Sequence, residues 1–204
     1  MKVDRPGPGE ELNHGGVTTP REAATVIVLR GGAETLEVLL VKRNPAQRFM
    51  GGAWVFPGGA VDPDEDHRVA GVREVEEESG VAIPEAESLV EFSRWITPAQ
   101  VKIRFDTRFY LAPAPEGAQP RTDGAETVDF GWFTPQGALD AYAREEILLV
   151  FPTIKTLEQL APFESAAAIL AWAEGREVVP IEPQVVVEGE VARVVLPGEP
   201  GYEA

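Results

Sequence analysis

Glu74, Glu76, Glu77 and Glu78 place four carboxylates within five residues of the stretch FPGGAVDPDEDHRVAGVREVEEESGVAI, which runs from Phe56 to Ile83. Like charges three or four residues apart on a helix repel one another, so the clustering carries a local penalty. A chain that keeps it has a compensating partner. Oxygen donors clustered at helical spacing suit a hard divalent cation, Mg2+ or Mn2+. Taken alone, EVEEE reads more simply as a solvated acidic helix face. Its surroundings decide between the two.

Asp62-Pro63-Asp64-Glu65 has the form of a helix start: an acidic N-cap, a proline next, and a glutamate three residues on. Gly80 suits a left-handed C-terminal stop, and Pro84 keeps the helix from resuming. The spacing predicts a helix over 65–79. At roughly 100° per residue, Glu74, Glu77 and Glu78 share one arc, and Val69, Val72 and Val75 fall on the other side. One face is expected to pack while the other gathers carboxylates. Arg73 lies four before Glu77, within reach for an ion pair.

Around this segment the chain reads as strands first and helices later. AATVIVLRGGAETLEVLLVKR, Ala23–Arg43, is two β-rich runs about a GGAE turn, a hairpin. AWVFP, LVEFSRWI, RFDTRFYLA and TVDFGWF are further strands, and Ala112–Glu126 is a long Pro/Gly/Asp loop. Pro135 opens a helix through QGALDAYAREE, with PTIKTLEQLA and SAAAILAWAEG as two more, the last stopped by Gly175. The end, QVVVEGEVARVVLPGEPGY, is a hairpin and a tail. Residues 1–20, rich in Pro and Gly, read as a mobile arm, 21–175 as one α/β domain with a mixed sheet, and 176–204 as an appended hairpin and tail.

Composition narrows the chemistry. The 204 residues include no cysteine, which removes disulfides, thiolate catalysis and Cys-based zinc sites, and the only histidines are His14 and His67. His67 reads as a solvated helix residue. The formal charge of −16 argues against nucleic acid as a partner and requires local cations or metals wherever a phosphorylated small molecule binds. No apolar run has the length of a membrane span and no secretory signal is evident, so the expected location is the cytoplasm.

The context of the glutamates is Gly59, five residues, Glu65, seven residues, then Arg73-Glu74-Val75-x-Glu77-Glu78-x-Gly80-Val81. This resembles the Nudix box at every defined position. The resemblance implies an α/β/α sandwich around a mixed sheet and metal-dependent hydrolysis of a nucleoside diphosphate linked to another moiety. It implies Glu74 and Glu78 as direct metal ligands, Glu77 as ligand or base, and Arg73 as the residue that orients the carboxylates. Gly58 would offer its carbonyl to a metal, Gly59 would permit a tight loop, Gly80 would end the helix, and Glu65 would support the site. For a base outside the box, the candidates are Asp123 and Glu126. Glu126 sits six before Trp132, where similar enzymes often carry an acidic residue.

Beyond the box, VLLVKRNPAQRFMGGAWVFPGGAVD, WITPAQVKIRFDTRFYLAP and VVLPGEPGY resemble the branch with peroxisomal coenzyme A diphosphatases and their bacterial relatives. That favours coenzyme A or acyl-coenzyme A as substrate. The chain departs from the stricter coenzyme A signature: Met50-Gly51-Gly52-Ala53-Trp54-Val55 precede Phe56 where a Gly-Glu pair and a Ser-Phe-Pro-Gly-Gly run are expected. The C-terminal Gly-Tyr-Glu-Ala carries no peroxisomal tripeptide. ADP-ribose, NADH or a dinucleotide is the alternative substrate, and a nucleotide-binding sensor without catalysis is the alternative class. Arg43, Arg48 and Arg104 are the candidate substrate-phosphate contacts, with Lys42 near them. Arg104 and Arg108 alternate with Phe105 and Phe109, so the two arginines share a strand face. Phe49, Trp54 and Trp132 could stack on a base or simply pack. The C-terminal helices could cap the pocket, form a homodimer interface or complete the core.

Overall fold

The computed structural model describes residues 13, 15–48, 50–188 and 191–203. The expected arm over residues 1–12, His14 and Phe49 therefore lie outside the described residues. From Asn13 onward the arm is docked: the Asn13 amide donates to the Gln100 carbonyl at 2.6 Å and the Thr18 hydroxyl to the Lys102 carbonyl at 3.1 Å.

The central strand is β1 (Arg21–Arg30), whose aliphatic run is buried on both faces. The expected hairpin joins it to β2 (Glu37–Arg43), but the two strands pair only at Leu29 with Val38 and Arg30 with Glu37. Beyond that they part. β2 takes β3 (Ala53–Val55) on one side and β7 (Thr127–Phe133) on the other. β1 takes β4 (Gly58–Ala60), which matches Ala23 with Ala60 and Thr25 with Gly58. It also runs parallel to β6 (Phe105–Pro113), which carries β5 (Val90–Ile96). This change of partner splits the sheet and leaves a gap at its centre.

Parity along the strands sorts the two faces. Ala24, Val26 and Val28 of β1 and Tyr110 of β6 pack with Ala70 and Val75 of α1 (His67–Ser79). Ile27 and Leu29, with Phe109 and Leu111, pack on the other side. That face is covered by α2 (Pro135–Ala143), α3 (Phe151–Leu160) and α4 (Ala166–Ala173), giving a helix–sheet–helix sandwich. The C-terminal helices thus complete the core, one of the roles foreseen for them. Two short strands join the sheet: β8 (Leu148–Leu149) beside β3 and β9 (Pro180–Ile181) beside β5. The terminal hairpin of β10 (Gln184–Glu188) and β11 (Val191–Val195) forms as expected. Residues 176–204 are more than an appendage, because Ile181, Val195 and Leu196 are built into the packed interior.

Helix α1 starts later than its sequence suggests. Its N-cap is Asp66, which accepts from the Arg68 amide at 2.8 Å, and not Asp62. Asp62 belongs to a preceding turn closed by its own amide donating to Glu65. Gly80 ends the helix at φ 64, the left-handed geometry that its position predicted. No described helix is long and apolar enough to cross a membrane.

Candidate active site

The buried residues of α1 are Ala70, Gly71, Val75, Glu78 and Ser79. At roughly 100° per residue, Glu74 and Glu78 lie within the arc these residues define. The expected valine face holds for Val75, which is buried, and Val72, which packs against the core, but Val69 is 49% exposed and the buried arc also carries Glu78. The physical reason is clearance. A Cβ on Gly71 would come within 2.9 Å of the Val26 side chain, so the helix rests on β1 through small residues. The carboxylates in the same arc reach the gap where β1 leaves β2.

Glu78 is 4% exposed. Its Oε2 accepts from the Gly58 amide at 3.0 Å, and its Oε1 lies 3.8 Å from Nη1 of Arg43. Burial pushes its carboxyl up to about 7; the Gly58 amide and Arg43 oppose that rise, while Glu74 and Glu126 add to it. Burial raises Glu74 in the same direction, against the pull of Arg73. Glu74 passes flush over Gly59, where a Cβ would sit 2.5 Å from the carboxylate carbon. Gly59 lies in strand β4, so its role is clearance for Glu74 and not the tight loop expected of it. Gly58, expected to act through its carbonyl, contributes its N–H to Glu78.

Arg73 organises the acidic residues. Its Nε and Nη2 donate to the two oxygens of Glu65 at 3.0 and 2.9 Å. Its Nη1 reaches Glu74 at 2.7 Å and Glu77 at 3.3 Å. That assigns Glu65 its supporting role: it accepts both arms of the guanidinium fork, and the pairing holds its carboxyl below the usual range. Glu77 is 60% exposed and is not among the residues lining the cavity described below. Its side chain steadies Arg73, which counts against the ligand or base role expected of it.

The loop before β7 is fastened to the end of α1. The Arg121 amide donates to the Ser79 carbonyl and the Thr127 hydroxyl to the Glu78 carbonyl, both at 2.8 Å. Asp123 accepts from the amides of Ala125, Glu126 and Thr127 at 2.9–3.1 Å, which holds its carboxyl low. It anchors the loop, and it is not among the residues lining the cavity described below. The loop it shapes brings Glu126 to the cavity.

One cavity of about 440 Å3 collects these groups. Glu74, Glu78, Glu126, Arg43, Gly58 and Gly59 line one end. The buried Nε of Arg43 has no hydrogen-bond partner among the described residues. Two other expected cations are elsewhere. Arg48 is exposed in the turn after β2 and does not line the cavity. Arg104 is buried and engaged with the carbonyls of Thr97 and Thr18 and with Glu182. Strand parity explains the miss: Phe105, Thr107 and Phe109 face the cavity, so Arg104 and Arg108 face away, and Arg108 pairs with Glu91. The same alternation, visible in RFDTRF, was the signal for these unforeseen lining residues. Trp54 packs edge-on to Phe133, and Trp132 lies under the Arg30 guanidinium, so neither lines the cavity.

The donor set fits a hard divalent cation: all-oxygen, half hidden from water and short of positive charge. Glu74 and Glu78 would hold such an ion, with Glu126 beside them. Among the described residues no three acidic groups are already closed around one point. One oxygen of Glu74 accepts from Arg73 at 2.7 Å.

Comparison with known proteins agrees with this geometry. The family model for the NUDIX domain matches residues 19–153. A Caenorhabditis elegans protein that carries a nudix hydrolase name is 28% identical over 188 residues, 72% of this chain and 63% of that protein. Human acyl-coenzyme A diphosphatase NUDT19 is 29% identical over 124 residues, 58% of this chain and 33% of that protein. The chain thus spans less than two thirds of the length of either relative. The crystal structure of a NUDIX hydrolase from Alicyclobacillus acidocaldarius superposes with a TM-score of 0.66 at 28% identity, covering 76% of this chain and 96% of that one. The matched stretch contains every glutamate that lines the cavity and the arginine that braces them, and the chain belongs to the NUDIX domain family.

Proposed function

We propose that the protein hydrolyses a diphosphate linkage in a nucleotide derivative with the help of Mg2+ or Mn2+, and that coenzyme A or a short acyl-coenzyme A is its favoured substrate. The observation that carries the reading is the meeting of Glu74, Glu78 and Glu126 with Arg43 at one end of a single cavity. The likeness to human acyl-coenzyme A diphosphatase supports the finer choice of substrate.

A bound divalent cation neutralises diphosphate charge and lowers the pKa of water. The chain supplies the rest. Glu74 and Glu78 would hold the ion; the Gly58 amide aims Glu78, and Arg73 with Glu65 braces the helix that carries both carboxylates. Arg43, whose side chain lines the cavity and is partly exposed, offers its guanidinium to substrate phosphate oxygens. Glu126, exposed at the cavity, accepts the proton of the attacking water. Water adds across one P–O–P bridge and two phosphate monoesters leave; from coenzyme A these are 3′,5′-ADP and 4′-phosphopantetheine.

The test compares the wild type and Glu78→Gln on coenzyme A, dephospho-coenzyme A, ADP-ribose and NADH with Mg2+ and Mn2+, resolving products by chromatography. Coenzyme A is the expected best substrate, and the variant is expected to lose about 100-fold or more in turnover. Near-normal turnover of the variant at saturating Mg2+ removes the proposed metal role. A preference of more than about tenfold for ADP-ribose or NADH moves the assignment to those substrates.

A further inference from the structure

The cavity does not stop at the residues matched to the family. Away from the carboxylates its lining is largely apolar and includes Val101, Phe105, Phe151 of α3, Pro183, Val185 and Val194. The last three lie beyond residue 153, where the family match ends. Val185 and Val194 are cross-strand partners, so the hairpin of β10 and β11 presents them together. The polar groups lining this end are Arg21, which stands beside Phe105 in the sheet, and the hydroxyls of Thr97, Thr107 and Thr153. A nucleobase has polar edges on several sides, and this lining meets few of them.

The wall is fastened deliberately. β9 adds to the sheet by pairing Pro180 with Arg94 and Ile181 with Trp95. The next residue, Glu182, receives Nη2 of Arg104 at 2.6 Å. Arg104 is 7% exposed, and its other donors bind the Thr97 carbonyl at 2.9 Å and the Thr18 carbonyl at 2.8 Å. The Tyr202 hydroxyl donates to the Glu182 carbonyl at 3.0 Å, and Gln184 exchanges two hydrogen bonds with Glu203 at 2.6 and 2.9 Å. A buried arginine is costly unless all its donors are met. Here one guanidinium ties the N-terminal segment, the loop after β5 and the C-terminal segment into one unit.

We propose that this C-terminal segment is the specificity wall of the site, that it binds an apolar group carried by the nucleotide substrate, and that Arg104 is the positioning residue that holds it in place. The inference rests on the reading of the carboxylate end as the diphosphate site. It adds that an acyl chain, and not only the nucleotide, is recognised. Each methylene buried against the wall is worth roughly fourfold in binding.

The test measures binding of coenzyme A, butyryl- and octanoyl-coenzyme A to the full chain by calorimetry, and kcat/KM for the same series. Octanoyl-coenzyme A is expected to bind the wild type at least about tenfold more tightly than coenzyme A. That ratio is expected to collapse toward one in Val185→Asp and in Val194→Asp, each checked for folding by circular dichroism. Arg104→Ala is expected to lower the ratio through KM more than kcat, with partial recovery in Arg104→Lys. Equal affinity across the series in the wild type overturns the proposal. So does a chain-length preference that survives in both aspartate variants. Chain-length-dependent binding without hydrolysis of any member supports the wall and removes the hydrolase reading instead.

Discussion

Glu78 offers a quantitative check that needs no substrate. Its folded-state carboxyl is raised to about 7 from the usual 4.5, chiefly by burial. A group raised in this way holds its proton more tightly in the folded state, so the metal-free protein loses stability as pH rises. The loss begins above the unfolded value and is complete above the folded one. Linkage over that interval amounts to about 2 to 3 kcal/mol between pH 5 and pH 8. Glu78→Gln keeps the volume and an oxygen to accept from the Gly58 amide, but it cannot ionise. In EDTA, urea unfolding should find the variant close to wild type at pH 5 and more stable than wild type by about 2 kcal/mol at pH 8, after allowance for the lost attraction to Arg43. Saturating Mg2+ at pH 8 should reverse the order, because the ion binds the carboxylate and not the amide. A difference between the two proteins that stays flat from pH 5 to pH 8 would refute the claim that Glu78 is a buried, charge-starved carboxylate.

Two further outcomes follow from the same geometry. Gly59→Ala places a Cβ 2.5 Å from the Glu74 carboxylate; it is expected to weaken Mn2+ binding by about tenfold or more, measured by calorimetry, with the circular dichroism spectrum unchanged. Asp123→Ala removes the acceptor for three loop amides; it should cost about 1 kcal/mol in urea unfolding near pH 7 and lower kcat by releasing Glu126, with the stability cost shrinking in acid as the wild-type carboxyl protonates.

Much of the site was legible in local chemistry. A helix ending at Gly80 and carrying Glu74 and Glu78 needs only capping rules and periodicity, and the Asp66 cap differs from the expected start by a few residues. Strand β7 begins and ends where TVDFGWF does. Elements of this kind are set by interactions a few residues long, which a sequence displays directly.

Orientation was another matter. The sequence by itself determined that carboxylates cluster on α1, that an arginine stands among them and that strands precede helices. Tertiary structure alone decided which face of α1 is buried, because the decisive fact is the splitting of β1 from β2, and that depends on partners far along the chain. It placed Arg43 at the cavity and turned Arg104 away from it to Glu182, since a one-residue change of strand parity moves a side chain to the opposite face. It also turned residues 176–204 from a tail into a wall of the cavity: β9, Glu182 and the Val185–Val194 pair acquire their meaning only beside β5, Arg104 and Phe105. Those contacts span scores of residues, and no local pattern encodes which distant surface a short hairpin will cover.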